Sequence, residues 1–98
     1  MTRQEALAVL KKHADELRAR GIVHAALFGS LARGDGGPNS DIDILIEVDP
    51  ALKLDMFAYA GLKRCVSELF AEPVDVVNKD ALKPQLRQPV AADAVYAF

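Results

Sequence analysis

A second cysteine is missing, so Cys65 has nothing in the chain to pair with. A fold built without disulfide staples fits a reducing cytoplasm. Also missing is any apolar run approaching the roughly twenty residues that a membrane helix needs, and no charged-then-apolar leader opens the chain. The expectation is a soluble, unprocessed protein with no membrane contact. The net charge is −2 and no Lys/Arg block gathers on one stretch, which disfavours direct binding of a nucleic-acid polymer. His13 and His24 lack partners at metal-ligand spacing, which argues against zinc. Nothing around Cys65 would activate its thiol, so it reads as a small hydrophobe. Internal repeats and low-complexity segments are absent too.

What is present suffices for one domain. A chain of 98 residues, 51% hydrophobic and 27% charged, is too short for two domains and ordinary for a compact one. Residues 1–98 are therefore expected to form a single unit. A core of this size gives modest stability, which leaves room for a partner protein or a second copy to add burial.

Thr2 and Glu5 have capping-box spacing. Leu7, Leu10, Ala14 and Leu17 then recur at helical intervals as far as Gly21, which predicts one helix. The nearly continuous apolar run Ile22 to Phe28 predicts a strand buried on both faces. Leu31 to Ser40, rich in glycine with a proline, predicts a loop with a short helical turn near its start. Asp41 to Val48 alternates acidic and aliphatic residues and predicts a second strand. A helix through Phe57, Leu62, Val66 and Phe70 ends before Pro73, and Val74 to Val77 makes a third strand. Asp80 is the expected cap of a last helix through Leu82, Leu86 and Val90, with Pro84 in its first turn and Pro89 kinking or splitting it. The order predicts an α/β fold: a small mixed β-sheet with helices packed on it.

Chemistry concentrates at the strand ends. Alternation on a strand puts Asp41 and Asp43 on one face with Ile42 opposite. Two carboxylates held together raise one another's pKa, and the pair calls for a cation, a shared proton or full solvation. A hard divalent cation such as Mg²⁺ answers this with one or two carboxylates, completing its shell from water and phosphate. Asp75 interrupts the apolar Val74-Asp75-Val76-Val77 and is expected to reach the same edge. Three carboxylates can hold two metals and help to deprotonate or place a nucleophile. Gly29-Ser30, after the first strand, offers close backbone approach, exposed N–H groups and a hydroxyl to a triphosphate. Arg33 stands where it can neutralise the outer phosphates.

Each piece also has a plainer explanation. Gly-Ser after a strand is most often a turn, Asp-x-Asp is often a solvated edge or a weak calcium pair, and Arg33 is a surface residue by default. An edge strand with one wet side would explain Asp75 equally well. Tyr59 and Tyr96 can accept a nucleotide or meet a partner, though core and surface roles are commoner. The case rests on the joint arrangement.

That arrangement, Gly29-Ser30, ten intervening residues, Asp41-Ile42-Asp43 and a later Asp75, resembles the DNA polymerase beta nucleotidyltransferase superfamily. Within it, Phe28 to Gly34 and Ser40 to Asp43 are most similar to the minimal nucleotidyltransferases, the MntA-like antitoxins paired with HEPN ribonuclease toxins. The resemblance implies that Gly29 and Ser30 contact the triphosphate, that Asp41 and Asp43 bind Mg²⁺, and that Asp75 completes the carboxylate set. It also implies transfer of AMP from ATP to a tyrosine of the cognate HEPN toxin. Larger members carry extra domains that grip base and acceptor, and this chain has little beyond the catalytic core. Acceptor recognition is thus expected to come from a partner or from oligomerisation. Two other functions remain open: a non-catalytic module that neutralises its partner by occlusion, and nucleotidyl transfer to a small-molecule acceptor.

Overall fold

The computed structural model describes residues 1–34 and 41–98. In chain order the elements are α1 (Arg3–Lys12), α2 (Ala14–Ala19), β1 (Ile22–Phe28), α3 (Gly29–Arg33), β2 (Ile42–Val48), α4 (Met56–Ser67), β3 (Val74–Asn78), a 3₁₀ turn (Lys79–Ala81), α5 (Pro84–Asp93) and β4 (Val95–Tyr96). The four strands form one mixed sheet in the order β3-β2-β1-β4. β1 runs antiparallel to β2 and β4, and β2 runs parallel to β3. This is the small mixed sheet with packed helices that the residue pattern predicts.

The capping box forms: Thr2 accepts from the Glu5 N–H, and Glu5 reaches back to the Thr2 N–H. The single first helix does not. At His13 the backbone turns out of helical geometry (φ −101°, ψ 12°), and α2 restarts without a side-chain cap. The apolar periodicity survives the break, because Leu10, Ala14 and Leu17 are all buried. Periodicity reports which face is buried, and two short helices can share one face as well as a single long one.

One sheet face carries the main core. Ala25 and Leu27 of β1, Ile42, Ile44 and Ile46 of β2, and Val76 of β3 pack with Ala6, Leu10, Leu17, Leu62 and Val66 from the helices and with Phe70 just beyond α4. On β2 the other face presents Asp43, Leu45 and Glu47, as period-two geometry requires. β1 is not buried on both faces throughout: Val23 and His24 are exposed beside a register shift between Ile22 and His24. The double burial holds for Ala25, Ala26 and Leu27.

Two corrections concern the last third of the chain. Asp80 lies inside the 3₁₀ turn, which is capped by the Asn78 side chain, and α5 begins at Pro84 after Lys83 with no side-chain cap. Pro fits that first position because its missing N–H would have had no intrahelical acceptor. Pro89 sits inside α5 without splitting it. β4 was not expected, since two residues carry no readable periodicity. Among the described residues no helix is long and apolar enough to cross a membrane.

Candidate active site

The register brings the carboxylates together. Asp43 and Asp75 are directly opposed Cα partners on the parallel strands β2 and β3, so their side chains leave the same face of the sheet. Asp41 lies one residue ahead of β2, rather than within it as expected. Its field still reaches Asp43. The Asp43 pKa is raised by partial burial first, then by the charges of Asp75 and Asp41, while Arg33 opposes the rise. Asp75 is exposed on the edge strand, so the plain edge-strand account of its exposure holds alongside its place opposite Asp43.

Gly29 closes the other side. Phe28 is the Cα partner of Asp43, which sets the next residue against the same carboxylate. Gly29 has φ +74°, and a Cβ placed there would land on Asp43 Oδ2. Only glycine meets both demands, a left-handed backbone and close approach to a carboxylate. The helical turn begins at Gly29, two residues earlier than predicted, so Gly29 and Ser30 occupy the first turn of α3. The N–H groups of a first turn have no intrahelical acceptor and point outward. Gly34, at φ +80°, ends the turn. The predicted loop beyond it, residues 35–40, lies outside the described residues.

Arg33 ends α3. Its Nη1 donates to Asp93 Oδ2 at 2.9 Å, an ion pair that ties α3 to the last residue of α5. Arg3 Nη1 donates to the Ala32 carbonyl at 3.1 Å and ties α1 to the same turn. Asp93 was not singled out in the sequence, where it stands alone sixty positions from Arg33. The tyrosines have other duties: Tyr59 Oη accepts from the Asn78 N–H at 3.2 Å, and Tyr96 Oη donates to Glu47 at 2.9 Å. His24 lies edge-on to Tyr96. A cleft of about 590 Å³, lined by Val48, Leu52, Leu54, Met56 and Tyr59 among others, opens at the far end of β2 from the carboxylates.

Asp43, opposed to Asp75 and within reach of the charge of Asp41, offers carboxylate oxygens of the kind that a hard divalent cation takes. Among the described residues no group of three or more His, Cys, Asp or Glu side chains is arranged to hold a metal ion. Mg²⁺ does not require one, because water and substrate phosphate supply most of its shell.

A family model described as a nucleotidyltransferase domain matches residues 10–96. The chain is 32% identical over 97 residues to the protein adenylyltransferase MntA of Thermococcus cleftensis, covering 98% of this chain and 96% of that protein. A solved minimal nucleotidyltransferase matches with a TM-score of 0.70 at 30% identity, over 97% of this chain and 95% of that one. A chain from a toxin–antitoxin crystal structure with AMP-PNP matches with a TM-score of 0.69 at 26% identity, over 90% of this chain and 72% of that one. The fold is shared nearly end to end with these relatives, and the chain belongs to the nucleotidyltransferase family as an enzyme of its small, MntA-like branch.

Proposed function

We propose that this protein is a Mg²⁺-dependent adenylyltransferase that moves AMP from ATP to a tyrosine of a cognate HEPN ribonuclease toxin, with residues 1–98 acting as one nucleotidyltransferase domain and antitoxin. The observation that carries the proposal is the register of Asp43 opposite Asp75, with the Gly29 backbone pressed on the Asp43 carboxylate. It is supported by the relative named as a protein adenylyltransferase and by the neighbour described as a toxin–antitoxin with AMP-PNP.

In this reading Asp41 and Asp43 hold the metal and Asp75 completes the set. Mg²⁺, when bound, neutralises phosphate charge and stabilises the charge that develops at the reacting oxygens. Gly29 N–H, Ser30 N–H and the Ser30 hydroxyl bind the outer phosphates, and Arg33 adds a guanidinium to them. Asp75 orients the acceptor hydroxyl and takes its proton. The tyrosine oxygen then forms a bond to the α-phosphorus as the α–β bridging bond breaks, and pyrophosphate leaves with the displaced electron pair. The acceptor is held by the toxin itself, which this short domain engages in a hetero-oligomer.

Incubation with labelled ATP, Mg²⁺ and the HEPN protein encoded beside it should label that protein on tyrosine. Asp41→Ala with Asp43→Ala should abolish the label. Absence of label on the partner would sink the transfer reaction. The exposed Met56 and Phe57 side chains, 80% and 89% accessible, favour a second reading, neutralisation by docking alone. Full protection from the toxin by the double variant would select it.

A further inference from the structure

The Arg33–Asp93 ion pair is costly to explain as a staple. Its side chains are 46% and 35% exposed, and pairs of that kind contribute about 0–1 kcal/mol to stability. The structure nevertheless goes to some length to make it. β4 is two residues long and pairs antiparallel with β1, Tyr96 with Ala26 and Val95 with Leu27. Ala94 joins β4 to the C-terminal end of α5, and α5 contacts both β1 and α3. Pairing of the short strand with β1 thus helps to fix the end of α5, and Asp93 with it, against α3. Arg33 comes to the same place from the other side, three residues after Ser30 on a helix of five, a spacing that puts the two side chains on one face.

We infer that Asp93 is a positioning residue for nucleotide binding, its carboxylate holding the Arg33 guanidinium in place beside the glycine turn for the outer phosphates of the nucleoside triphosphate. The inference rests on the reading of Arg33 as a phosphate ligand. A free arginine side chain gives up about 2 kcal/mol of rotamer freedom when it is fixed. Asp93 removes part of that cost before the nucleotide arrives, which is preorganisation. A guanidinium carries five donors in a planar fork, and the bond to Asp93 is made by Nη1. The opposite arrangement, in which Asp93 draws Arg33 away from the site, predicts tighter binding once the Asp93 charge is removed.

The test is binding of MgATP to the full chain by titration calorimetry, which needs no acceptor. Asp93→Asn should raise Kd roughly three- to tenfold, the range expected for loss of one charge-assisted contact that acts through another group. Asp93→Glu should restore most of the affinity. In an Arg33→Ala background Asp93→Asn should add nothing, because both changes remove the same function. Unchanged or tighter binding by Asp93→Asn, with Arg33→Ala still weakening it, overturns the positioning role alone. So does an Asp93→Asn effect that persists undiminished without Arg33. Unaltered binding by Arg33→Ala removes the phosphate-ligand reading and the inference with it. Failure of the wild type to bind MgATP defeats the adenylyltransferase proposal itself.

Discussion

Gly29 and Asp43 constrain one another. The glycine is held at φ +74° with its Cα facing the Asp43 carboxylate, so an added methyl meets two penalties at once. A left-handed conformation costs an L-residue about 1–2 kcal/mol, and the carboxylate must move. Gly29→Ala is expected to leave a folded protein with a melting temperature several degrees lower and transfer activity down by about 100-fold, as misplacement by roughly 1 Å can cause. Near-normal activity in a labelling assay would show that the Asp43 position is not critical. Asp43 itself carries a stability cost. Its folded pKa lies above its ordinary value of 3.8, so the folded state holds the proton more tightly than the unfolded one. Below that ordinary value both states are protonated and nothing is lost. Between the ordinary value and the raised folded one the unfolded chain loses its proton first and stability falls, and above both it stays lower, as at neutral pH. Asp43 is only partly buried, and solvent screens much of this. In metal-free buffer at pH 7, Asp43→Asn should raise the melting temperature, with the advantage vanishing near pH 3. Mg²⁺ should stabilise the wild type more than the variant. A variant less stable at pH 7 would contradict the electrostatic account.

Elements show which signals a sequence carries locally. The N-terminus of α4 is held by Asp55, whose Oδ1 accepts from the Ala58 N–H at 2.7 Å. Asp55→Ala should cost about 1 kcal/mol and lower the melting temperature by about 4–8 °C, measurable by thermal unfolding; a shift under one degree would mean that water replaces the cap. Signals of this kind were readable in advance: the Thr2–Glu5 box, the apolar stripes of α1, α2 and α4, the strand through Ile44, and the glycine turn set ten residues before Asp41. Each depends on neighbours a few positions apart. The break at His13 was not readable, because the buried stripe passes through it unchanged. β4 is too short to show a period, and Asp80 lost the expected cap because a 3₁₀ turn and Pro84 intervened. The pairing of Asp43 with Asp75 could be guessed only as a shared edge, since the two parallel strands are joined through α4 and no short turn fixes their register. Asp93 left no trace, as its meaning depends on a contact closed across most of the chain.

For the whole molecule, exposed apolar surface separates intrinsic stability from assembly. Phe57 is 89% accessible, so Phe57→Ser should change the unfolding free energy of the isolated chain by no more than about 0.5 kcal/mol. A larger loss in denaturant titration would reveal packing that this conformation does not contain. The sheet order has a consequence of another kind. β1 and β2 each have a hydrogen-bonded neighbour on both sides, whereas β3 has β2 alone. Local opening follows such differences, and segments with fewer bonds and contacts detach at lower free energy than the core. Native-state hydrogen exchange should therefore protect the amides of Leu27 and Ile44 close to the limit set by global unfolding, and those of β3 distinctly less; equal protection would contradict this. Asp75 rides on an edge strand and Asp43 on a central one, so the carboxylate set comes apart at a lower free energy than the fold that carries it.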